Sequence, residues 1–129
     1  MRVLLDTHAF RWLNNEPEKC PGNVLDICQN PQTTLLLSLA SVWEIQVKYQ
    51  LGKLPLQVPV RELIETSQFE YGLQLLSIQP RHVYVLENLP DHHRDPFDRL
   101  LIAQALSEEI PLVTADRNIS RYPLKVVWG

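Results

Sequence analysis

No stretch of this sequence is long and apolar enough to cross a bilayer: the longest such run, Leu35 to Ala40, already contains Ser38. The opening residues, MRVLLDTH, lack the apolar segment and small-residue cleavage site of a secretory signal. A soluble, cytoplasmic protein with no membrane contact is the expectation. Cysteine is nearly missing, with only Cys20 and Cys28 and no CxxC pair, which excludes a disulfide scaffold and a cysteine-based zinc site; both read as reduced thiols. A basic excess is also lacking. Fifteen acidic against twelve basic side chains give a net charge of −3, which excludes a protein that coats nucleic acid through bulk electrostatics but not a nuclease with a local acidic centre. Repeats, low-complexity tracts and linkers are absent. With 129 residues, 45% of them hydrophobic, the chain is expected to form a single domain over residues 1–129 with a core that needs no staples.

The chain does show a regular alternation of short apolar runs and longer periodic segments. Arg2 to Leu5 reads as a strand that hands directly, at Asp6-Thr7, to a helix over His8 to Leu13. Pro21 suits position N1 of a second helix that ends at Asn30-Pro31, and Thr34 to Leu37 is a continuous apolar strand of the buried, parallel kind. Ser38 and Ser41 open a helix to about Leu51 with Gly52 as its C-cap, and Pro59 to Tyr71 carries another, closed by Gly72. Leu73 to Ile78 is a strand and Pro80 to Leu89 a short helix. After the polar loop Asp91 to Arg94, Asp95-Pro96 starts a mostly apolar helix to about Glu108, followed by strands at Leu112 to Thr114 and Lys125 to Trp128. The predicted fold is a three-layer α/β/α domain with a mainly parallel central sheet. In such sheets ligands bind beyond the carboxyl ends of the strands, where Asp6 and Asp116 fall.

Each acidic residue has a local explanation of its own. Asp6 suits a helix N-cap, Asp116 a turn with Asn118, Glu44 a solvated helix face beside Lys48, and Asp95-Pro96-Phe97-Asp98 a capped helix start. Their joint arrangement adds a further reading. LLDTH, SLASVWEI, HRDPFDRLLIAQA and LVTADRN, in this order and spacing, resemble the PIN-domain family, especially its VapC-like toxins of toxin-antitoxin pairs. The resemblance covers essentially the whole chain. It implies a metal-dependent endoribonuclease, with Asp6, Glu44, Asp98 and Asp116 as catalytic metal ligands and Thr7 and Thr114 as supporting polar groups. It further implies hydrolysis that leaves a 5′-phosphate and a 3′-hydroxyl, a cognate antitoxin covering the site, and a homodimer. Hard oxygen ligands of this kind suit Mg²⁺ or Mn²⁺.

Helix spacing separates the two acids of the Asp95-Pro96-Phe97-Asp98 start: Asp95 at the N-cap is occupied by backbone N–H groups, whereas Asp98 at N3 can point into a site. Asp98 is therefore taken as the ligand and Asp95 as its support. Arg117 either contacts a phosphate or a carboxylate or is a surface arginine beside a turn, and the sequence leaves both open. His92-His93 lacks the spacing of a zinc site and reads as polar loop. Phe10, Trp12, Trp43, Phe69 and Phe97 occupy apolar helix positions and are assigned to packing rather than base stacking. Two rivals remain on paper. A PIN-fold regulatory binding module without catalysis is disfavoured by the complete acidic set. The other rival is a phosphotransfer domain of the haloacid-dehalogenase or receiver kind, which also places Asp after the first strand; the Asp-x-Asp of the former is absent, since the chain reads Asp6-Thr7-His8.

Overall fold

The structure, a computed structural model, describes residues 1–129. Five parallel strands form one sheet in the order β3-β2-β1-β4-β5: β1 is Arg2–Leu5, β2 Thr34–Ser38, β3 Gln74–Leu76, β4 Leu112–Val113 and β5 Val126–Val127. Alternation along the strands assigns the two faces. Val3, Leu5, Leu35, Leu37 and Val113 point into one core, while Leu4, Leu36 and Leu112 point into the other. Both faces of the central strands β1, β2 and β4 are therefore covered, and from Val3, Leu35 and Leu112 onward these strands are buried, whereas the edge strand β3 meets solvent. Each fully buried leucine contributes about 1.5–3 kcal/mol, which concentrates stability in β1 and β2, where six leucine and valine side chains are at most 3% exposed.

Helices α1 (Thr7–Asn15), α2 (Gly22–Gln29) and α4 (Val60–Tyr71) supply the first core through Phe10, Leu13, Val24, Leu63 and Ile64. Helix α6 (Pro96–Glu108) supplies the second with Leu101, Ile102 and Ala105. Helix α3 (Leu39–Gln50) bridges them, giving Ala40 to one core and Ile45 to the other. The short α5 (Pro80–Val85) packs on α6, and the chain continues as a 3-10 turn over Leu86–Asn88 rather than as one helix to Leu89.

The parallel register positions the functional end of the sheet. Leu5 stands opposite Leu37 on β2 and Val113 on β4, so the next residues, Asp6, Ser38 and Thr114, emerge side by side at the carboxyl edge. The strand order reverses between β1 and β4, since β2 and β3 lie to one side and β4 and β5 to the other. That reversal opens the crevice in which ligands of open α/β sheets bind.

Element ends differ slightly from the sequence reading. Helix α1 starts at Thr7, Pro21 is an N-cap rather than N1, and β3 and β5 are shorter than the apolar runs that contain them because both lie at sheet edges. Gly72 does close α4 in the left-handed conformation. Two aromatic assignments are corrected. Trp43 is 63% and Phe69 91% exposed, because the inward faces of α3 and α4 are filled by Ser41, Glu44 and Ile45 and by Leu63, Ile64 and Ser67. Phe10 is core, as expected; Trp12 packs at its margin against Trp128, and the half-buried Phe97 meets Trp43 edge to face at 5.2 Å.

Candidate active site

Three of the four sequence-selected carboxylates, Asp6, Asp98 and Asp116, line one open cavity of about 270 Å³ together with His8, Trp12 and Ala115. Asp6 arrives at the end of β1 and caps α1, its Oδ1 accepting the Ala9 N–H at 2.7 Å. Capping and site membership are thus compatible: one oxygen is used by the helix and the carboxylate still borders the cavity. Asp116 follows β4 by way of Thr114, whose Oγ1 accepts the Asp116 N–H at 3.0 Å, and Asp116 Oδ1 in turn accepts the Asn118 N–H at 2.8 Å. Asp98 enters from the first turn of α6. Asp95 is the N-cap there, and its Oδ1 accepts from both Phe97 N–H and Asp98 N–H.

Glu44 does not line this cavity. It sits on α3, almost fully buried, with Oε1 accepting the Thr7 hydroxyl at 2.8 Å and Oε2 paired with Lys48 at 2.6 Å. Thr7 also reaches Ser41 at 3.0 Å, so a buried polar chain links the start of α1 to α3. Glu44 still acts on the site electrostatically, as one of the charges that disfavour ionisation of Asp98.

The electrostatics are those of crowded acids in a partly dry crevice. Burial pushes the Asp98 carboxyl up to about 7; the Asp95, Glu44 and Asp6 charges add to the effect and His93 opposes it. Burial also holds Asp6 above its ordinary range, reinforced by Asp116, while the Thr114 hydroxyl, the Ala9 N–H and His8 pull it back. Desolvation and like charge both favour the neutral acid. A cation placed among these groups would reverse that preference.

Of the supporting residues, Thr7, Asp95 and Thr114 take the contacts just described. Arg117 is exposed, pairs with no carboxylate, and contributes only its carbonyl, which accepts from Ser120. The residue that the sequence assigned to polar loop and the structure brings to the acids is His93. Its Nε2 lies 2.8 Å from Asp116 Oδ2 and 3.2 Å from Asp98 Oδ2, and the three side chains offer ligand atoms within 4.8 Å of one another. The available signal was its place within HRDPFD, two residues before the cap of the helix that carries Asp98. Residues 91–94 do form a loop, and within it His93 faces two of the carboxylates.

A five-stranded parallel α/β sheet with carboxylates gathered at its topological switch point defines the class of molecule. Residues 3–125 match the PIN domain, and the chain belongs to that family. It is 28% identical over 130 residues to Ribonuclease VapC22 of Mycobacterium tuberculosis, covering 98% of both chains. It is 38% identical over 56 residues to Ribonuclease VapC16 of the same organism, a match spanning 43% of this chain and 40% of that protein. Among solved structures, VapBC2 from Rickettsia felis, bound to a DNA fragment from their promoter, superposes with a TM-score of 0.76 at 18% identity over 100% of both chains. No helix is long and apolar enough to cross a membrane.

Proposed function

We propose that residues 1–129 form one PIN domain that hydrolyses RNA phosphodiester bonds with Mg²⁺ or Mn²⁺ held by Asp6, Asp98 and Asp116 and supported by Glu44. The observation that carries this reading is geometric: Asp6, Asp98 and Asp116 line one cavity at the carboxyl edge of the sheet, and Asp98 and Asp116 offer ligand atoms within 4.8 Å of each other, with burial and like charge raising the Asp98 carboxyl to about 7. Such a site is electrostatically incomplete without positive charge, and its all-oxygen acidic donors suit a hard divalent ion. When bound, that ion supplies Lewis-acid activation of water and neutralises charge at the leaving oxygen.

The protein's own groups do the rest. The Ala9 N–H holds Oδ1 of Asp6 and the Asn118 N–H holds Oδ1 of Asp116, giving each carboxylate one backbone anchor. Thr7 and Lys48 hold Glu44, and Lys48 balances its charge. Asp95 anchors the first turn of α6, so that Asp98 approaches from a rigid element. The likeness to ribonucleases named VapC supports a role as the toxin of a toxin-antitoxin pair, acting in the cytoplasm, with a cognate antitoxin and a second copy of this chain as partners.

Purified protein incubated with total cellular RNA tests the proposal. Cleavage should require Mg²⁺ or Mn²⁺, stop in EDTA, and resume when the metal is restored in excess, with new ends carrying 5′-phosphate. Undiminished cleavage in excess EDTA would overturn it.

A further inference from the structure

His93 is held with unusual firmness for a loop residue. The Tyr122 hydroxyl accepts from His92 N–H at 3.0 Å and from His93 N–H at 2.9 Å while donating to the Pro90 carbonyl at 2.7 Å. From the other side, the Arg99 guanidinium donates to the carbonyls of Leu89, Pro90 and His93. The imidazole is fixed as well. Its Nδ1 accepts the Asp95 N–H at 3.1 Å, and its Nε2 faces Asp116 Oδ2 and Asp98 Oδ2.

We infer that His93 is a positioning residue of the acidic site, whose Nε2–H donates to Asp98 and Asp116 together and sets the orientation in which these two carboxylates receive a divalent cation. This rests on the metal-dependent reading above. The tautomer follows from the partners. Because Nδ1 spends its lone pair on the Asp95 N–H, the ring proton resides on Nε2, the nitrogen that meets the carboxylates. Ligation of a metal through Nε2 would require the proton to sit on Nδ1, where it would oppose the Asp95 N–H, donor against donor. The geometry therefore favours a hydrogen-bond donor to the ligands over a ligand. Asp95 acquires a second role: its side chain caps α6 while its backbone N–H orients the histidine.

The test is a thermal melt of the untagged full chain, titrated separately with Mg²⁺ and Co²⁺, for wild type, His93→Ala and His93→Gln. Each apparent affinity follows from the concentration dependence of the melting temperature. Loss of a hydrogen-bond partner to ligating carboxylates should weaken binding by about 10- to 100-fold. His93→Ala is expected to show that loss equally for both ions, and His93→Gln, whose amide N–H can stand in for Nε2–H, should recover most of it. Weakened Co²⁺ binding with Mg²⁺ binding intact would make His93 a nitrogen ligand and overturn the proposal, since imidazole favours the softer ion. Unchanged affinities in His93→Ala, or an equal loss in His93→Gln whose metal-free melt matches wild type, would overturn it too. If His93→Ala fails to fold, the glutamine variant decides by retaining or losing both affinities. A wild-type melt that neither ion shifts would remove the metal-dependent reading itself, an outcome distinct from all of these.

Discussion

Asp6→Asn and Asp116→Asn are each expected to lower RNA cleavage by about 100-fold or more, the order that follows removal of a group stabilising transition-state charge, while leaving a cooperative melt. Both substitutions keep the local backbone contacts. An asparagine carbonyl at position 6 can still accept the Ala9 N–H, and one at position 116 can still accept the Asn118 N–H, with asparagine capping about as well as aspartate. What each loses is charge. For Asp6 that charge is costly to bury, since desolvation holds its carboxyl above the ordinary range, so Asp6→Asn should raise the melting temperature of the metal-free protein. Loss of the cooperative melt in either variant would instead identify a structural cap. Cells give a second readout: expression of the wild-type chain without antitoxin should arrest growth, and expression of either variant should not.

The paired acids at the start of α6 carry opposite expectations. Asp95→Asn retains the cap to Phe97 and Asp98 and should leave stability and most activity in place. Asp98→Asn should abolish most cleavage and most of the Mg²⁺-dependent rise in melting temperature. The same variant reports through pH. Asp98 titrates at about 7 in the folded chain against an ordinary value of 3.8, so the folded state binds its proton more tightly than the unfolded state does. That contribution to metal-free stability is fully present below about 4 and is lost as the pH rises through about 7. Melts of wild type between about pH 4 and 7, the interval between these two values, should therefore decline more steeply than those of Asp98→Asn. Protons and Mg²⁺ also compete for the same carboxylate, and the metal-induced shift should grow over that window. If Asp95→Asn loses the metal-dependent shift and Asp98→Asn keeps it, the ligand assignment is wrong by one helical turn.

Much of this site was legible because its residues sit where local rules already mark element boundaries. Asp6 ends an apolar strand, Asp95-Pro96 announces a helix start, and Asp116 follows the next buried strand, so the alternation of strand and helix brings two of the acids to the carboxyl edge. The misses share a different cause. Trp43 and Phe69 follow helical periodicity in apolar character, but the inward positions of α3 and α4 are taken by smaller and polar side chains, among them Ser41, Glu44 and Ser67, a choice that depends on tertiary partners. Glu44, buried on α3, meets Thr7 and Lys48 through its two oxygens and acts on Asp98 through its charge, contacts that only the tertiary fold supplies. His93 reads as polar loop in the sequence because its contacts come from Tyr122, Arg99 and Asp116, residues 6 to 29 positions away along the chain.

The most direct measurement is a crystal structure grown with Mn²⁺, with anomalous diffraction collected at the manganese absorption edge. An anomalous peak in the cavity in contact with carboxylate oxygens of Asp6, Asp98 and Asp116 is the predicted result, and Asp98→Asn should diminish it. Protein from the same preparation that cleaves RNA in Mn²⁺ yet shows no manganese among these three carboxylates, or shows it only elsewhere on the molecule, would contradict the site.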